Sequence, residues 1–247
     1  MYQLKRLHNV RGYTMIELVM IIVIIGVLSS IAIRKMSNSV ETAQYEQTKK
    51  ELDALAHAIA GNPSAYTNGV RTDFGYVGDV GAMPPNLDAL IANPGSYSSW
   101  DGPYITNGTS SNDFKQDGWR INYTYSDTLL RSTGSGANID KVFAISSSAL
   151  LNNNVTGYIV DADNAVPGLI YKDSLLVRLV YPNGTGGYTT GIIYPNKNGS
   201  FSFNLIPIGN HTLSVIYIPD TDTLTYQIAV LPAKTTKLDI TFPADLW

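Results

Sequence analysis

The stretch RGYTMIE, residues 11–17, runs directly into LVMIIVIIGVLSSIAI, residues 18–33, and the rest of the chain is organised around it. Residues 13–33 number about twenty, which as a helix is just long enough to cross the hydrocarbon core of a bilayer. Glu17 is the only charged residue among them. A carboxylate inside lipid is costly and requires a positively charged partner, so Glu17 is the first candidate functional residue.

A basic leader, residues 1–12, precedes this segment and ends at Gly12. A basic leader ending in glycine, then an aromatic residue, a T-x-I-E sequence and an apolar helix together resemble the class III leader of type IV pilins and type II secretion pseudopilins. The resemblance implies that a prepilin peptidase cuts after Gly12 and that the new amine of Tyr13 is methylated. It also implies that Glu17 meets the N-terminal amine of a neighbouring subunit during assembly.

Two other interpretations of this segment remain open. A secretory signal peptide also combines a basic start with an apolar run, but its cleavage site follows the run, whereas the glycine here precedes it. An ordinary transmembrane anchor with a stray carboxylate near the lipid interface would account for Glu17 without any role in assembly.

The composition narrows the function classes. The 247 residues carry a formal net charge of −3, no cysteine and no basic patch, so we expect no nucleic-acid partner, no disulfide and no thiolate-bound metal. The three histidines, His8, His57 and His211, lie far apart, and no H-E-x-x-H or G-x-S-x-G sequence occurs. We therefore expect no enzyme. A membrane-tethered hydrolase with a triad assembled from distant residues stays open as an alternative.

Helical periodicity continues beyond the apolar run. Four apolar residues fall at the spacing i, i+3, i+4, i+7 that makes one helical face, namely Leu52, Leu55, Ala56 and Ile59. The sequence Gly61-Asn62-Pro63 is a helix stop signal. These features predict one helix over residues 13–60, with an apolar first half and an amphipathic second half.

Residues 61–152 are dense in turn signals and predict a small globular head with an antiparallel sheet. Asn86 is placed to cap a short helix over residues 86–91. Alternating apolar and polar residues at 121–125 and 141–145 predict two strands.

The motifs of this region resemble the head of the major pseudopilin of type II secretion. The chain has W-D-G-P-Y at 100–104 and D-G-W-R-I-N-Y-T-Y at 117–125, and the loop at 132–140 stands where that family has a calcium-binding stretch. The resemblance implies a possible calcium ion at Ser132 and Asp140, although the second acidic residue of the family's site is missing here. A plain turn rich in glycine and serine is the alternative.

Residues 70–81 match no motif of the major pseudopilin head, and we interpret them as an insertion between helix and sheet. Asp73 and Asp79 could indicate a metal or acid–base site. The glycines around them favour a solvated loop, which is what we expect.

After Asn152 the pattern changes to short alternating segments separated by turns, which predict an antiparallel sandwich. Seven strands are predicted, at 156–161, 175–181, 189–194, 201–204, 211–217, 225–230 and 236–242. The sequences G-Y-I-V-D at 157–161, G-S-F-S-F at 199–203 and L-I-P-I-G-N-H-T-L-S-V at 205–215 resemble a carboxypeptidase-regulatory-like (prealbumin-like) module. That resemblance implies a non-catalytic folding unit or binding surface.

Together these features predict an α+β protein with four parts: a leader (1–12), a transmembrane and spine helix (13–60), a pseudopilin-like head (61–152) and a β-sandwich (153–247). The resemblance implies a structural subunit, processed by a prepilin peptidase, that joins other pilin subunits in a type II secretion pseudopilus or type IV pilus-like filament on an inner-membrane assembly platform. It implies one pass through the bacterial inner membrane, with the heads in the periplasm or, within a filament, outside the cell. The alternative is a minor or tip subunit whose sandwich is an adhesin or partner-binding module.

Overall fold

A computed structural model describes residues 12–105 and 113–247, so the leader before Gly12 lies outside the described residues. Helix α1 covers Met15–Ala60, which confirms the long helix predicted from the sequence. Every residue from 12 to 43 is exposed. The first half of α1 therefore contributes no side chain to a protein core.

By compactness the chain divides into two units, residues 1–46 and 47–247, and α1 is continuous through the division. Among residues 61–105 and 113–247, three short α-helices follow α1, namely α2 (Gly75–Val80), α3 (Ser147–Leu151) and α4 (Gly168–Tyr171). The strands before residue 152 are β1 (Tyr66–Thr67), β2 (Val70–Arg71), β3 (Thr124–Ser126), β4 (Leu129–Ser132) and β5 (Ile139–Val142). The later strands are β6 (Asn153–Val160), β7 (Leu175–Pro182), β8 (Tyr188–Ile193), β9 (Ser200–Ile206), β10 (Gly209–Tyr217), β11 (Asp222–Val230) and β12 (Thr235–Thr241). The fold is α+β, as predicted.

The second half of α1 buries its apolar stripe, which confirms the predicted face. The buried side chains of the stripe are those of Leu52, Leu55, Ala56 and Ile59. Thr48 is also buried, and its Oγ1 accepts a hydrogen bond of 2.9 Å from the backbone N–H of Gly118. The helix ends where Gly61 takes a φ of +76°, and a Cβ there would lie 2.3 Å from the carbonyl oxygen of Asp73. Only glycine fits this stop.

The expectation of a solvated loop over residues 70–81 is wrong. Residues 75–80 form α2, and apolar side chains of this stretch lie in the same core as those of α1, namely Phe74, Tyr76, Val77 and Val80. Gly75 has a φ of +56°, and a Cβ on it would lie 2.6 Å from the carbonyl oxygen of Ala58. The glycine that suggested a loop instead allows α2 to approach α1 closely.

Strands β3, β4 and β5 form the predicted antiparallel sheet of the head. β3 covers a shorter and later segment than the predicted 121–125, and β5 begins and ends earlier than 141–145. β3 starts late because the carbonyl oxygen of Ile121 accepts a hydrogen bond of 2.8 Å from the N–H of Asp117, which closes a turn before the strand.

The short helix predicted after Asn86 is present as a 3₁₀ turn over Leu87–Leu90. The side-chain Oδ1 of Asn86 accepts a hydrogen bond of 3.2 Å from the N–H of Ala89. The predicted N-cap is thus confirmed, and the cap buries Leu87 and Leu90 against the head core.

All seven strands predicted after residue 152 are present, in two sheets of order β11-β10-β7-β8 and β12-β6-β9. Their inward side chains form one apolar cluster that includes Val177, Phe203 and Leu213. One pairing differs from the antiparallel expectation, because β12 runs parallel to β6. The chain crosses from β11 to the other sheet and enters it at the end where β6 begins, so the two strands point the same way.

The head core continues past the predicted boundary at residue 152. It contains Ile208, and the N–H of Gly184 donates to the carbonyl oxygen of Val80 at 2.9 Å. The N–H of Ser99 likewise donates to the carbonyl oxygen of Gly186 at 3.2 Å. The division between head and sandwich at 152/153 stays a prediction.

Candidate functional site

The residue predicted to precede the processing site has no packing role among the described residues. Gly12 is exposed, and a Cβ built on it would meet no described atom within 4 Å. Gly26, inside the apolar half of α1, is equally unconstrained. Among the described residues there is thus no steric reason for glycine at position 12.

Thr14 and Glu17 form a capping box at the start of α1. The Glu17 Oε2 accepts hydrogen bonds from the backbone N–H of Thr14 at 2.8 Å and from its hydroxyl at 2.9 Å. In return, the Thr14 Oγ1 accepts from the N–H of Glu17 at 3.3 Å. These contacts satisfy orphan donors of the first helical turn and orient the carboxylate toward the N-terminal side of the helix. Tyr13, the predicted new N-terminus, is the residue immediately before this cap.

The first half of α1, up to residue 33, is apolar on all sides and uncovered. The exposure of its large apolar side chains runs from 42% at Ile21 to 86% at Met15. Its length and composition are sufficient for it to cross a membrane. A surface of this kind needs lipid or other apolar helices around it.

The two residues predicted to hold calcium are bonded to other protein groups. Asp140 receives two hydrogen bonds from the guanidinium of Arg131, at 2.6 and 2.8 Å, across strands β4 and β5. The Ser132 hydroxyl is buried and donates to the Oδ2 of Asp117 at 2.6 Å. Calcium binding at these residues stays a prediction.

Asp117 is the centre of this loop region, and the sequence reasoning did not single it out. Its Oδ1 accepts from the backbone N–H groups of Trp119 and Ile121, both at 2.9 Å. Its Oδ2 accepts from Ser132 and, at 3.0 Å, from the N–H of Gly134. A buried carboxylate with four donors is fully satisfied and ties two loops together. The available signal was its position as the first residue of the D-G-W motif.

The two acidic residues of the 70–81 stretch have separate structural partners. Asp73 accepts hydrogen bonds from the backbone N–H groups of Asn62 at 2.8 Å and Gly75 at 3.0 Å. Asp79 accepts one of 2.8 Å from the phenol of Tyr104. Burial raises the pKa of Asp79 to about 6, against the opposing effect of the Tyr104 hydrogen bond. No described group of three His, Cys, Asp or Glu side chains is placed to hold a metal ion.

His211, which fell within a predicted turn-and-strand pattern, is a buried residue of β10. Its Nε2 lies 2.8 Å from the carbonyl oxygen of Pro207, and its ring packs edge-on against Tyr181. Burial lowers the pKa of His211, which favours the neutral form of the ring. These contacts give the histidine a packing role in the sandwich.

Comparison with known families identifies the N-terminal segment. Residues 7–33 match the model of the prokaryotic N-terminal methylation motif, a range that includes Gly12, Tyr13 and Glu17. Together with the long exposed apolar helix, this match defines a prepilin-type N-terminal segment.

Among curated proteins, the chain is similar to the type II secretion system core protein G of Xanthomonas campestris pv. campestris. The two are 25% identical over 93 residues, which cover 38% of this chain and 55% of that protein. The chain thus spans about half the length of the curated relative it matches.

Solved structures give only distant similarities. The dioxygenase domain of a dioxygenase–carbohydrate-binding protein fusion from Streptomyces sp. SirexAA-E is 13% identical, with a TM-score of 0.29 over 41% of this chain and 86% of that one. The major pilin subunit of Bacillus cereus is 18% identical, with a TM-score of 0.23 over 47% of this chain and 38% of that one. Similarities this low carry no argument about function.

Proposed function

We propose that this protein is a structural subunit that is cut after Gly12, methylated on Tyr13 and assembled through α1 into a type II secretion pseudopilus or type IV pilus-like filament. The observation that carries the proposal is the uncovered apolar half of α1 directly behind a prepilin-type motif. Lipid covers this surface before assembly, and the same segments of neighbouring copies cover it in a filament.

The capping box explains how Glu17 could act in assembly. Cleavage would leave an ammonium on Tyr13, one residue before the cap that holds the carboxylate. Two opposite charges attract strongly in a low-dielectric bundle, and an unpaired one is costly there. A neighbouring copy that supplies its ammonium to Glu17 would therefore set the stagger between adjacent helices.

The partners and the location follow from the same proposal. A prepilin peptidase would act on residues 1–12, and an inner-membrane assembly platform would draw subunits from the bilayer. The chain would cross the bacterial inner membrane once, with residues 47–247 in the periplasm or on the filament surface. The support for this is the motif, the apolar helix and the similarity to a type II secretion protein.

Processing is tested by the intact mass of the protein purified from cell membranes. We expect a chain that begins at Tyr13 and carries one added methyl group. Gly12→Val should leave the full-length precursor, whereas Gly26→Val should be processed normally. Neither glycine packs against a described atom, so a difference between the variants would reflect recognition at the cleavage site and not a disturbed fold. A wild-type protein that retains its first twelve residues, or has lost α1, would contradict the proposal.

Assembly is tested by replacing the carboxylate in the apolar segment. Glu17→Leu should be processed but should give at least about tenfold fewer sedimentable filaments, because the ammonium of a neighbour would remain unpaired in the bundle. Glu41→Leu, an exposed change in the polar half of the same helix, is the matched control and should assemble normally. Equal filament yields from both variants would remove the assembly role of Glu17.

A minor or tip subunit is the second candidate. It is favoured by the fact that the similarity to the secretion protein covers only 38% of this chain. The copy number per filament decides between the two functions, since a main subunit is present along the whole fibre and a tip subunit is not. Immunogold labelling with an antibody to the sandwich would measure this directly.

A further inference from the structure

An exposed apolar loop lies at one end of the sandwich, between β6 and β7. We call residues 166–171 the tip loop. Leu169 is 72% exposed and Ile170 81% exposed, and neither belongs to the sandwich core. Residues 168–171 of the loop form α4. A hydrogen bond of 3.0 Å from the N–H of Gly168 to the carbonyl oxygen of Lys197 anchors the loop. Adjacent aliphatic side chains on an anchored loop indicate a contact surface.

An apolar groove of about 400 Å³ lies near the start of β6. We call it the base groove. Its lining includes Ala60, Phe143, Ala149, Leu150, Pro232 and Ala233. At its edge, Val142 is 63% exposed and Ile145 is 92% exposed. The groove is therefore open to an incoming apolar side chain.

The strands of one sheet place the tip loop and the base groove at opposite ends of the sandwich. β6 begins at Asn153, directly after α3 in the groove, and ends at Val160, shortly before the tip loop. β12 starts just after Ala233 and runs parallel to β6 over the same length. Eight residues of strand span about 25 Å. A copy cannot insert its own tip loop into its own groove, but it carries both halves of a head-to-tail contact.

The two ends also differ in charge. The exposed charged residues at the tip end are Asp163, Asp173, Asp220, Asp222, Asp245 and one lysine, Lys197, while Lys172 is half-buried and pairs with Asp173. The described lining of the base groove contains Arg71 and Lys141 and no carboxylate. Arg71 is buried and donates to the carbonyl oxygens of Asp73 and Ala60, and Lys141 contacts Asp53 beside the groove. Lys234 follows Ala233 and is exposed. When two copies meet end to end, the acidic tip of one thus approaches the exposed Lys234 beside the groove of the other.

We propose that the tip loop of one copy docks in the base groove of a second copy. Because the two surfaces are different patches, the contact is heterologous, and a heterologous contact that does not close into a ring propagates as an open filament. Burial of Leu169 and Ile170 supplies the apolar contact, and the opposite charges orient it. The inference rests on the proposed function in one respect, since alignment of the copies by their membrane helices would raise the local concentration of each surface.

The contact is tested by disulfide cross-linking of the full-length protein in membranes and sheared filaments. The natural chain has no cysteine, so every disulfide between copies joins introduced cysteines. Ile170→Cys with Ala233→Cys should give a reducible ladder of dimers, trimers and longer species on mild oxidation, because a disulfide needs Cβ atoms about 4 Å apart. Neither single variant should form the ladder. The control pair, Ile170→Cys with Thr225→Cys on the outer face of β11, should not form it either.

Filament yield gives an independent measurement. Ile170→Glu should reduce sedimentable filaments at least about tenfold, because a charge replaces a side chain that is buried in the contact. Ile192→Glu, an exposed change on β8, should assemble like the wild type. The docking proposal would be overturned if the double-cysteine variant formed filaments without the cross-link between positions 170 and 233, or if Ile170→Glu assembled normally. If the double-cysteine variant formed the ladder but the cysteine-free protein formed no filament, the contact would be supported and the filament function rejected.

Discussion

Asp117 shows how a single buried carboxylate can organise two loops. Its four acceptor contacts connect the turn before β3 with the loop after β4. Those bonds already restrain the segment in which the family resemblance implied a calcium ion. The sequence shows that Ser132 and Asp140, the residues predicted to bind calcium, carry side-chain oxygens. It does not show which groups these oxygens contact, because that depends on which strands are paired.

Replacement of Asp117 by Asn should destabilise the head. An amide nitrogen cannot accept from the Ser132 hydroxyl or the Gly134 N–H, and a buried donor left unpaired costs about 1–3 kcal/mol. Urea unfolding of the purified protein measures this change. Asp140→Asn, which alters an exposed ion pair with Arg131, is the control and should shift the midpoint much less. Equal shifts would show that Asp117 is not the centre of the loop.

Asp79 makes stability depend on pH. Its pKa is raised from 3.8 to about 6 in the folded state, so the folded chain binds the proton more tightly than the unfolded chain does. The stability from this group is fully present below its unfolded pKa and is lost as the pH rises through about 6. Asp79→Asn stays neutral and still accepts from Tyr104, so it should raise the melting temperature at about pH 7.5 and leave it nearly unchanged at about pH 4. Asp245→Asn, at an exposed position, should change neither value, and a loss of stability at both pH values would contradict the assignment.

At the scale of elements, the helical structure and buried face of α1 could be predicted because the apolar stripe repeats over two full turns. Helix α2 could not be predicted, because six residues are too few to show a helical periodicity of apolar side chains and its glycines are also typical of turns. What makes this segment helical is the core around Tyr76 and Val77. Tertiary packing there overrides the local preference for a loop.

The close approach of α2 to α1 can be separated from backbone strain by comparing two glycines. Gly75 and Gly69 both have positive φ, at +56° and +79°. An alanine at either position pays about 1–2 kcal/mol for the left-handed backbone. Only Gly75→Ala adds a clash, since its Cβ would lie 2.6 Å from the Ala58 carbonyl oxygen, whereas the Cβ of Gly69→Ala meets nothing within 4 Å. Thermal unfolding should therefore show a clearly larger loss for Gly75→Ala, and equal losses would reject the packing explanation.

At the scale of the whole molecule, the two compact units pose different physical problems. Residues 47–247 bury two apolar clusters, one of the head and one of the sandwich. Residues 12–43 bury nothing, and the apolar segment 13–33 within them needs an external apolar environment. The proposed filament meets that need with neighbouring copies of the same helix, and the tip loop and base groove extend the self-association to the second unit.

The amino-acid sequence by itself determined the prepilin-type start, the length of α1, its buried stripe and the seven strands of the sandwich. Each of these depends on local periodicity or on a contiguous motif, which needs no knowledge of the fold. Only the tertiary structure decided the burial of α2, the four bonds of Asp117, the parallel pairing of β12 and the placement of the tip loop opposite the base groove. These features join residues far apart in the chain, and their energies arise from contacts that no local pattern records.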